Sequence, residues 1–475
     1  MVKSFITNKP ALNLTAVGFG QAGSRIVDVF AKYQTAAGEQ AYNCLALNSN
    51  DGDLKELRFI DPNNRINLDL GGLGKNPEKA VKILENNEKV QATMHNFIDK
   101  KIGTKDDLVL FVAGLGGGTG TSTIVKAIEE FHDMHNKPKI KQVLEAMIDK
   151  FSMDAYKDNQ VEFNKKALKI AEENFIKLGV IACLPLRNDG PDVLRQVNKF
   201  ATKIWELAND ITKSISFVMF PDNQFFYDSF KSLPQVKKER FDNYRDYANY
   251  EIASTFHEIN TATTQGGTSV VMDGQDLKRA LTEHKGCLVL SKQELASSVI
   301  ENSEDVANLF KKSIEGSNMH EPVKLKDGDA VAKVHHIGLL AALDSKKDYG
   351  NGGFIEVATE HIHDLLPING TVFSGYVKEK NEGMVTAYSF YKADVLPGRL
   401  EKGLVEEYNE FIERNKQVNF ASTKIESIED VSDNDFDISL GDLGLEDSFS
   451  EKEPVKEKET KEDLAAALND FDFTF

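Results

Sequence analysis

Residues 108–123 read LVLFVAGLGGGTGTST. A short apolar run, the profile of a strand buried on both faces, leads into glycines and hydroxyls and then into a predicted helix near 121–135. Glycine lets a backbone come close to a bulky anion, and the unpaired N–H groups at a helix start point toward it. The stretch therefore predicts an anion-binding turn between a strand and a helix. It is not a P-loop, because the pattern G-x-x-x-x-G-K-[ST] requires a lysine that is missing here. Whatever neutralises the anion must come from elsewhere.

Two more glycine clusters precede it. GFGQAG carries Gly18, Gly20 and Gly23, and GGLGKNP spans residues 71–77. The first lies in LNLTAVGFGQAGSRIVDVFAKY, which reads strand, turn, helix, and is followed by a second strand in YNCLALNSN. G-x-G-x-x-G alone is a weak dinucleotide signal. A Rossmann site also wants an acidic residue at the end of the second strand to hold a ribose. Here asparagines come first and Asp51 is the only nearby candidate. A Rossmann NAD(P)-dependent oxidoreductase needs one such loop, and this chain has three at successive strand ends. A tight turn explains any one of them and explains all three together poorly.

Further strands are expected at about 141–147, 179–184 and 214–220, with helical sequence between them. Apolar strands alternating with helices predict a mostly parallel sheet covered on both faces. A long helix is expected at 237–262, where Phe241, Tyr244, Ala248, Ile252, Phe256 and Ile259 form a stripe at spacings of three and four. Region 266–396 reads as a smaller mixed domain with strands near 334–343, 370–378 and 384–393. Residues 397–414 predict an amphipathic helix, with Pro397 near its start and Leu400, Leu404, Tyr408 and Phe411 on one face.

The formal net charge is −18. Residues 426–475 hold 17 acidic residues against 4 lysines, so most of that charge belongs to the last fifty residues. The segment from 419 is acidic and aperiodic and is predicted to be disordered; it ends in EDLAAALNDFDFTF, a candidate short helix with three phenylalanines among acids. No basic face predicts direct nucleic-acid binding. No apolar run reaches a membrane span, and the N-terminus lacks a signal-peptide pattern. Cys44, Cys183 and Cys287 lie apart in apolar sequence and read as reduced core residues. A cytoplasmic location is expected. His335 with His336, and His361 with His363, lack a third ligand at sensible spacing, so no metal site is expected from them. Trp205 and the cluster FFYDSF at 225–230 read as core or contact residues.

The three glycine clusters, in this order, resemble the tubulin/FtsZ family. Gly116, Gly117, Gly118, Thr119, Gly120, Thr121 and Ser122 match its GGGTGTG/S signature. The resemblance implies an α/β fold. A Rossmann-like parallel-sheet GTP-binding domain (1–234) would be followed by a central core helix (235–265) and a smaller mixed α/β C-terminal domain (266–396). A C-terminal helix contacting a neighbour (397–418) and the disordered acidic tail (419–475) would complete the chain. It also implies GTP or GDP with Mg2+ as cofactors, held by backbone N–H groups, helix dipole and metal instead of a lysine. Gly18, Gly20, Gln21, Ala22, Gly23 and Asn48 would contribute to that site. Gly72, Gly74 and Asn76, beside Pro77, would sense the γ-phosphate. Asp189, in CLPLRNDGP at 183–191, would contact the ribose. Asn249 would bond the guanine edge. The family's stacking aromatic, four residues earlier, is replaced by Arg245, with Tyr244 adjacent; either could stack.

The family divides its hydrolytic site between subunits. SVVMDGQDLKRAL supplies Asp273 and Asp276 as the implied catalytic pair, acting on the nucleotide of the next molecule. Both also suit helix capping, and one carboxylate could cap while the other faces the partner. This arrangement implies head-to-tail filaments assembled from the chain itself. HKGCLVLSKQEL (284–295) and residues 384–413 look most like the TubZ branch, carried by plasmids and phages. That resemblance implies DNA segregation through a DNA-bound adaptor, with the tail as a docking element for the adaptor or another partner. The tail's acidity departs from the branch, whose tails are often basic. A cell-division or phage-positioning scaffold is the alternative within the family, and a non-hydrolysing polymer is a third.

Overall fold

A computed structural model describes residues 3–415 apart from Ser4, 72–75, Thr104, 211–212, Gly267, Met319, 327–331, Asn351 and 380–382. Gly72, Gly74 and the acidic segment 419–475 with its aromatic end lie outside the described residues.

Ten strands are described: β1 (Leu14–Phe19), β2 (Asn43–Asn48), β3 (Arg65–Asn67), β4 (Leu108–Gly114), β5 (Lys177–Cys183), β6 (Ile215–Met219), β7 (Cys287–Ala296), β8 (Val334–Asp344), β9 (Val372–Glu379) and β10 (Met384–Ala393). They form one sheet in the order β3-β2-β1-β4-β5-β6-β7-β10-β8-β9. From β3 to β6 every neighbour is parallel. The pair Val218↔Cys287 joins β6 to β7. Beyond it the sheet is mixed, with β10 antiparallel to both β7 and β8 and β8 parallel to β9.

Helices cover both faces, as a buried parallel sheet requires. Those used below are α1 (Gly20–Ala31), α2 (Gly118–His135), α3 (Lys137–Phe151), α4 (Gln160–Glu172), α5 (Pro191–Asn209), α6 (Tyr244–Ala262), α7 (Gly274–Thr282) and α8 (Leu404–Asn415). The strands feed the two faces alternately. Val109, Phe111 and Ala113 of β4 enter the core under α2 and α5, while Leu108, Leu110 and Val112 enter the core under α1, α6 and α7.

The expected strand at 141–147 is instead part of α3. Ile140, Val143, Leu144, Met147 and Ile148 are half-buried at helical spacing, and α3 packs on α4 as a helical hairpin inside the β4-to-β5 crossover. Strand β7, in CLVLSKQELA, is one the sequence reading did not anticipate. The long helix begins at Tyr244, later than expected, where Asn243 caps it by accepting from the N–H groups of Arg245 and Asp246.

From Ile252 to Ala262 every residue of α6 is buried, including several polar ones, so their hydrogen bonds must close inside the protein. His257 bonds the Tyr42 hydroxyl and the Ile6 carbonyl, each at 2.8 Å. Asn260 accepts from Leu12 N at 2.8 Å. Glu258 lies 3.1 Å from both Lys3 and Lys292. These contacts draw the N-terminal segment and the mixed half of the sheet onto one helix. α8 packs on α5 of the same chain, with Leu404 buried, Tyr408 and Phe411 half-buried, and Leu400 of the preceding turn buried beside them. All three cysteines are free and buried.

Candidate nucleotide-binding site

The loops after β1, β2, β4 and β5 open at one edge of the parallel strands, where α/β folds place their ligands. The first and third glycine clusters meet there backbone to backbone. Gly20 has φ +67°, and a methyl group on it would lie 2.7 Å from Gly120 N. One on Gly120 would lie 2.7 Å from Phe19 O, and one on Gly23 would lie 2.0 Å from Val112 O. Gly18 would meet Ser24 at 2.6 Å. These glycines are required for packing. Gly117 differs, because an added methyl there would find nothing within 4 Å. A methyl group on Gly116 would lie 3.5 Å from Pro185 and Val193, an ordinary contact distance.

Both helices that start here, α1 after Phe19 and α2 after Gly117, lack a side-chain cap. Their first N–H groups are therefore available to an anion. The hydroxyls of α2 do not take those positions. Thr121 donates to Leu115 O at 2.9 Å and Gly117 O at 2.6 Å, and Ser122 donates to Gly118 O at 3.0 Å. Thr121 is fully buried, so it braces the turn from inside. Thr119 pairs with Ser49 at 2.6 Å and links this turn to the end of β2.

At the end of β2, Asn48 is buried and donates to Asp53 at 3.0 Å; Gln21 donates to the other Asp53 oxygen at 3.0 Å. Asp53 ties the first two loops together, and the sequence reading passed over it in favour of Asp51, two residues earlier. Ala22, beside Gln21, is exposed at the surface, with its methyl 2.8 Å from where one on Gly114 would stand. Asn76 caps the helix Pro77–Asn86 by accepting from Lys79 N at 3.0 Å. Asp189 accepts from Leu186 N at 3.0 Å and so closes its own loop.

The start of α6 lies beside that loop. Burial pushes the Tyr244 hydroxyl pKa up, Arg245 opposes the shift, and the Asp189 carboxylate adds to it. The Arg245 guanidinium sits 4.9 Å from the Tyr244 ring centroid, and Tyr227 packs edge-on against Tyr244 at 5.2 Å. Tyr244 and Arg245 are thus one stacked unit. Asn249 follows Arg245 by one helical turn on the same face. It also borders a separate cleft of about 1840 Å³, lined by Tyr33, Phe226, Tyr247, Glu258 and Lys292 and by none of the glycine clusters.

Asp273 and Asp276 are not part of this assembly. Asp273 caps α7, accepting from Gln275 N at 2.8 Å and Asp276 N at 2.9 Å, while Asp276 accepts from Asp273 N at 3.2 Å. Both carboxylates cap, where the sequence suggested that only one would need to. Gly274 lies against Ala11, just before β1, whereas the first glycine loop follows the far end of β1. Six residues of strand at about 3.3 Å each put the acidic pair and the glycine loops roughly 20 Å apart, on opposite edges of the sheet.

No protein-family model matches the chain. The tubulin-like protein TubZ of Bacillus thuringiensis subsp. israelensis is 23% identical over 332 residues, 65% of this chain and 59% of that protein. The TubZ of Bacillus cereus is 20% identical over 469 residues, 94% of this chain and 91% of the relative. In sequence the chain is thus similar to tubulin-like proteins of the TubZ kind. Solved structures agree in fold. GDP-form protofilaments of the B. thuringiensis serovar israelensis TubZ superpose with a TM-score of 0.61 at 19% identity, covering 87% of this chain and 94% of that one. CetZ from Methanosaeta thermophila superposes with a TM-score of 0.54 at 20% identity, covering 86% of this chain and 92% of that chain.

Proposed function

We propose that the chain binds GTP at the glycine-lined edge of its parallel sheet and hydrolyses it only when molecules stack head to tail into filaments. The observation that carries this reading is the separation of the two halves of the site. Open backbone at Gly117 and two uncapped helix starts face one end of the molecule, and the Asp273–Asp276 pair lies at the other. One molecule cannot bring them together, but two in a row can. Related proteins have been solved as GDP-form and GTPγS-form TubZ protofilaments and as two-stranded and four-stranded TubZ filaments.

In this reading, the α1 and α2 starts hold the phosphates, and Gly117 lets them approach. Asp189 holds the ribose, Asn249 selects guanine, and the Tyr244–Arg245 stack covers the base. The second glycine cluster, with Asn76, senses the γ-phosphate. Among the described residues no group of three metal-capable side chains exists, so Mg2+ would take its ligands chiefly from phosphate and water, as this ion commonly does. When bound, Mg2+ neutralises charge on the phosphates. Asp273 and Asp276 of the adjoining molecule would orient the attacking water and accept its proton. The cellular role we assign is segregation of plasmid or phage DNA, in keeping with a fold neighbour described as a type III plasmid segregation TubZ. The filament would engage a DNA-bound adaptor through the acidic tail.

The test is phosphate release from GTP at rising protein concentration, with light scattering read in the same cuvette. Specific activity should climb above a threshold at which scattering also appears. Activity per molecule that stays flat with concentration would refute the shared site. If GTP is neither bound nor cleaved, the nucleotide reading itself fails.

A further inference from the structure

The last helix is bonded to one loop of the candidate site. After Pro397 the chain makes a π-helical turn, Arg399–Gly403, and then enters α8. Such turns are rare and gather at functional positions. In an uninterrupted α-helix, residues eight apart point about 80° away from each other. The wider turn absorbs that angle and brings Glu407 opposite Arg399. Two parallel bonds result, Nε to Oε1 at 3.0 Å and Nη2 to Oε2 at 2.9 Å.

The third nitrogen of the same guanidinium reaches across to the nucleotide edge. Arg399 Nη1 donates to Pro185 O at 2.7 Å and to Asp222 Oδ1 at 2.6 Å. Glu407 also pairs with Arg187 Nε at 3.2 Å. The Arg399 side chain is only 9% exposed, so these bonds form largely out of water, where a rigid fork of donors is most selective. Pro185 borders the third glycine cluster, since a methyl group added at Gly116 would lie 3.5 Å from it. A line of neighbouring groups thus runs from Glu407 through Arg399 and Pro185 to the border of the phosphate turn.

We propose that Arg399 is a positioning residue: by holding the Pro185 carbonyl, it makes the shape of loop 184–190, and so the grip on nucleotide, depend on the seating of α8. This rests on the nucleotide reading above. Arg399 itself touches no nucleotide in this scheme. Drawing α8 away from α5 withdraws the guanidinium from Pro185 and loosens the loop that carries Asp189.

Arg399→Lys keeps one charge but cannot span four acceptors, Glu407→Gln weakens the helix side of the clamp together with its direct pair to Arg187 of the loop, and Arg187→Ala, which removes that direct pair alone, separates the two effects. Arg414→Ala, which removes an exposed ion pair with Glu410 near the end of α8, is the control. The readouts are the dissociation rate of a fluorescent GDP below the assembly threshold, amide exchange across 184–190, and the melting midpoint. Both clamp variants should release GDP about tenfold faster and lose protection at 184–190, with β4 and α2 as protected as before and Arg414→Ala unchanged. A lower melting point with unchanged GDP release and unchanged protection at 184–190 would reduce Arg399 to an anchor for α8 and overturn the proposal. If the wild-type protein holds no guanine nucleotide, the functional reading fails by itself. Protection at 184–190 then still decides the coupling: loss in both clamp variants supports it, and wild-type values refute it.

Discussion

Gly117→Ala separates folding from ligand binding at the turn on which the functional reading depends. Gly117 has φ −108° and ψ 164°, ordinary extended geometry that alanine adopts without strain. A methyl group there meets no protein atom within 4 Å. The folded state therefore loses nothing, and the unfolded chain loses freedom, so stability should hold or rise by about 0.4–1 kcal/mol. The proposed phosphate, in contrast, would be pushed off the start of α2. Losing one charge-assisted hydrogen bond costs about 1.5–3 kcal/mol, roughly ten- to a hundredfold in affinity. Gly120→Ala is the matched contrast. Its methyl would strike Phe19 O at 2.7 Å, and the resulting backbone shift should cost about 1–3 kcal/mol of stability as well as binding. Urea denaturation and titration with a fluorescent GDP measure both quantities. Wild-type affinity in Gly117→Ala would refute the phosphate path, and instability equal to that of Gly120→Ala would refute the reading of open space.

Asp273→Asn keeps a competent cap and removes a charge, so stability should stay within about 0.5 kcal/mol while GTP turnover drops at least about a hundredfold. Filaments should still sediment, and undiminished phosphate release would count against the assigned role. His257 supplies a pH dependence. Burial draws its pKa from 6.5 down to about 4, and its Nε2–H donates to Ile6 O, which leaves Nδ1 to accept from the Tyr42 hydroxyl. Between those pH values the unfolded chain binds a proton that the folded chain refuses, so stability should fall as pH drops from about 6.5 to 4, by up to ~3 kcal/mol. Urea midpoints across that range should show the loss, and His257→Gln should flatten it. Glu258→Gln leaves Lys3 and Lys292 with only the more exposed Glu294 carboxylate between them and should cost about 3 kcal/mol, read by urea denaturation.

The first and third glycine clusters were legible because the constraint is local. A strand end, a turn and a helix start lie within a dozen residues, and only glycine fits where α1 rides on β4 at Gly23. The strand expected at 141–147 failed for a related reason. Its apolar residues are only half-buried, and the expectation of a strand after α2 outweighed their helical spacing. Strand β7 was hidden by Lys292 and Glu294, charges that interrupt its apolar run. Lys292 is buried there against Glu294 of its own strand and Glu258 of α6, and the second partner comes from another element that no local pattern reveals. Asp53 was missed because its partners, Gln21 and Asn48, belong to two different loops. The motif naming Asp273 and Asp276 was visible in the sequence, but their place at the opposite edge of the sheet depends on topology.

That opposite placement fixes a count. A row of molecules joined in this way contains one fewer complete site than it has members. In the proposed arrangement the molecule at one end would keep a loaded nucleotide with no neighbour to cleave it, and the molecule at the other end would present an acidic pair with nothing to act on. The two ends are therefore unlike in chemistry as well as in direction. A pair of molecules would run at half the specific rate of a long row, and only length would make the idle end negligible.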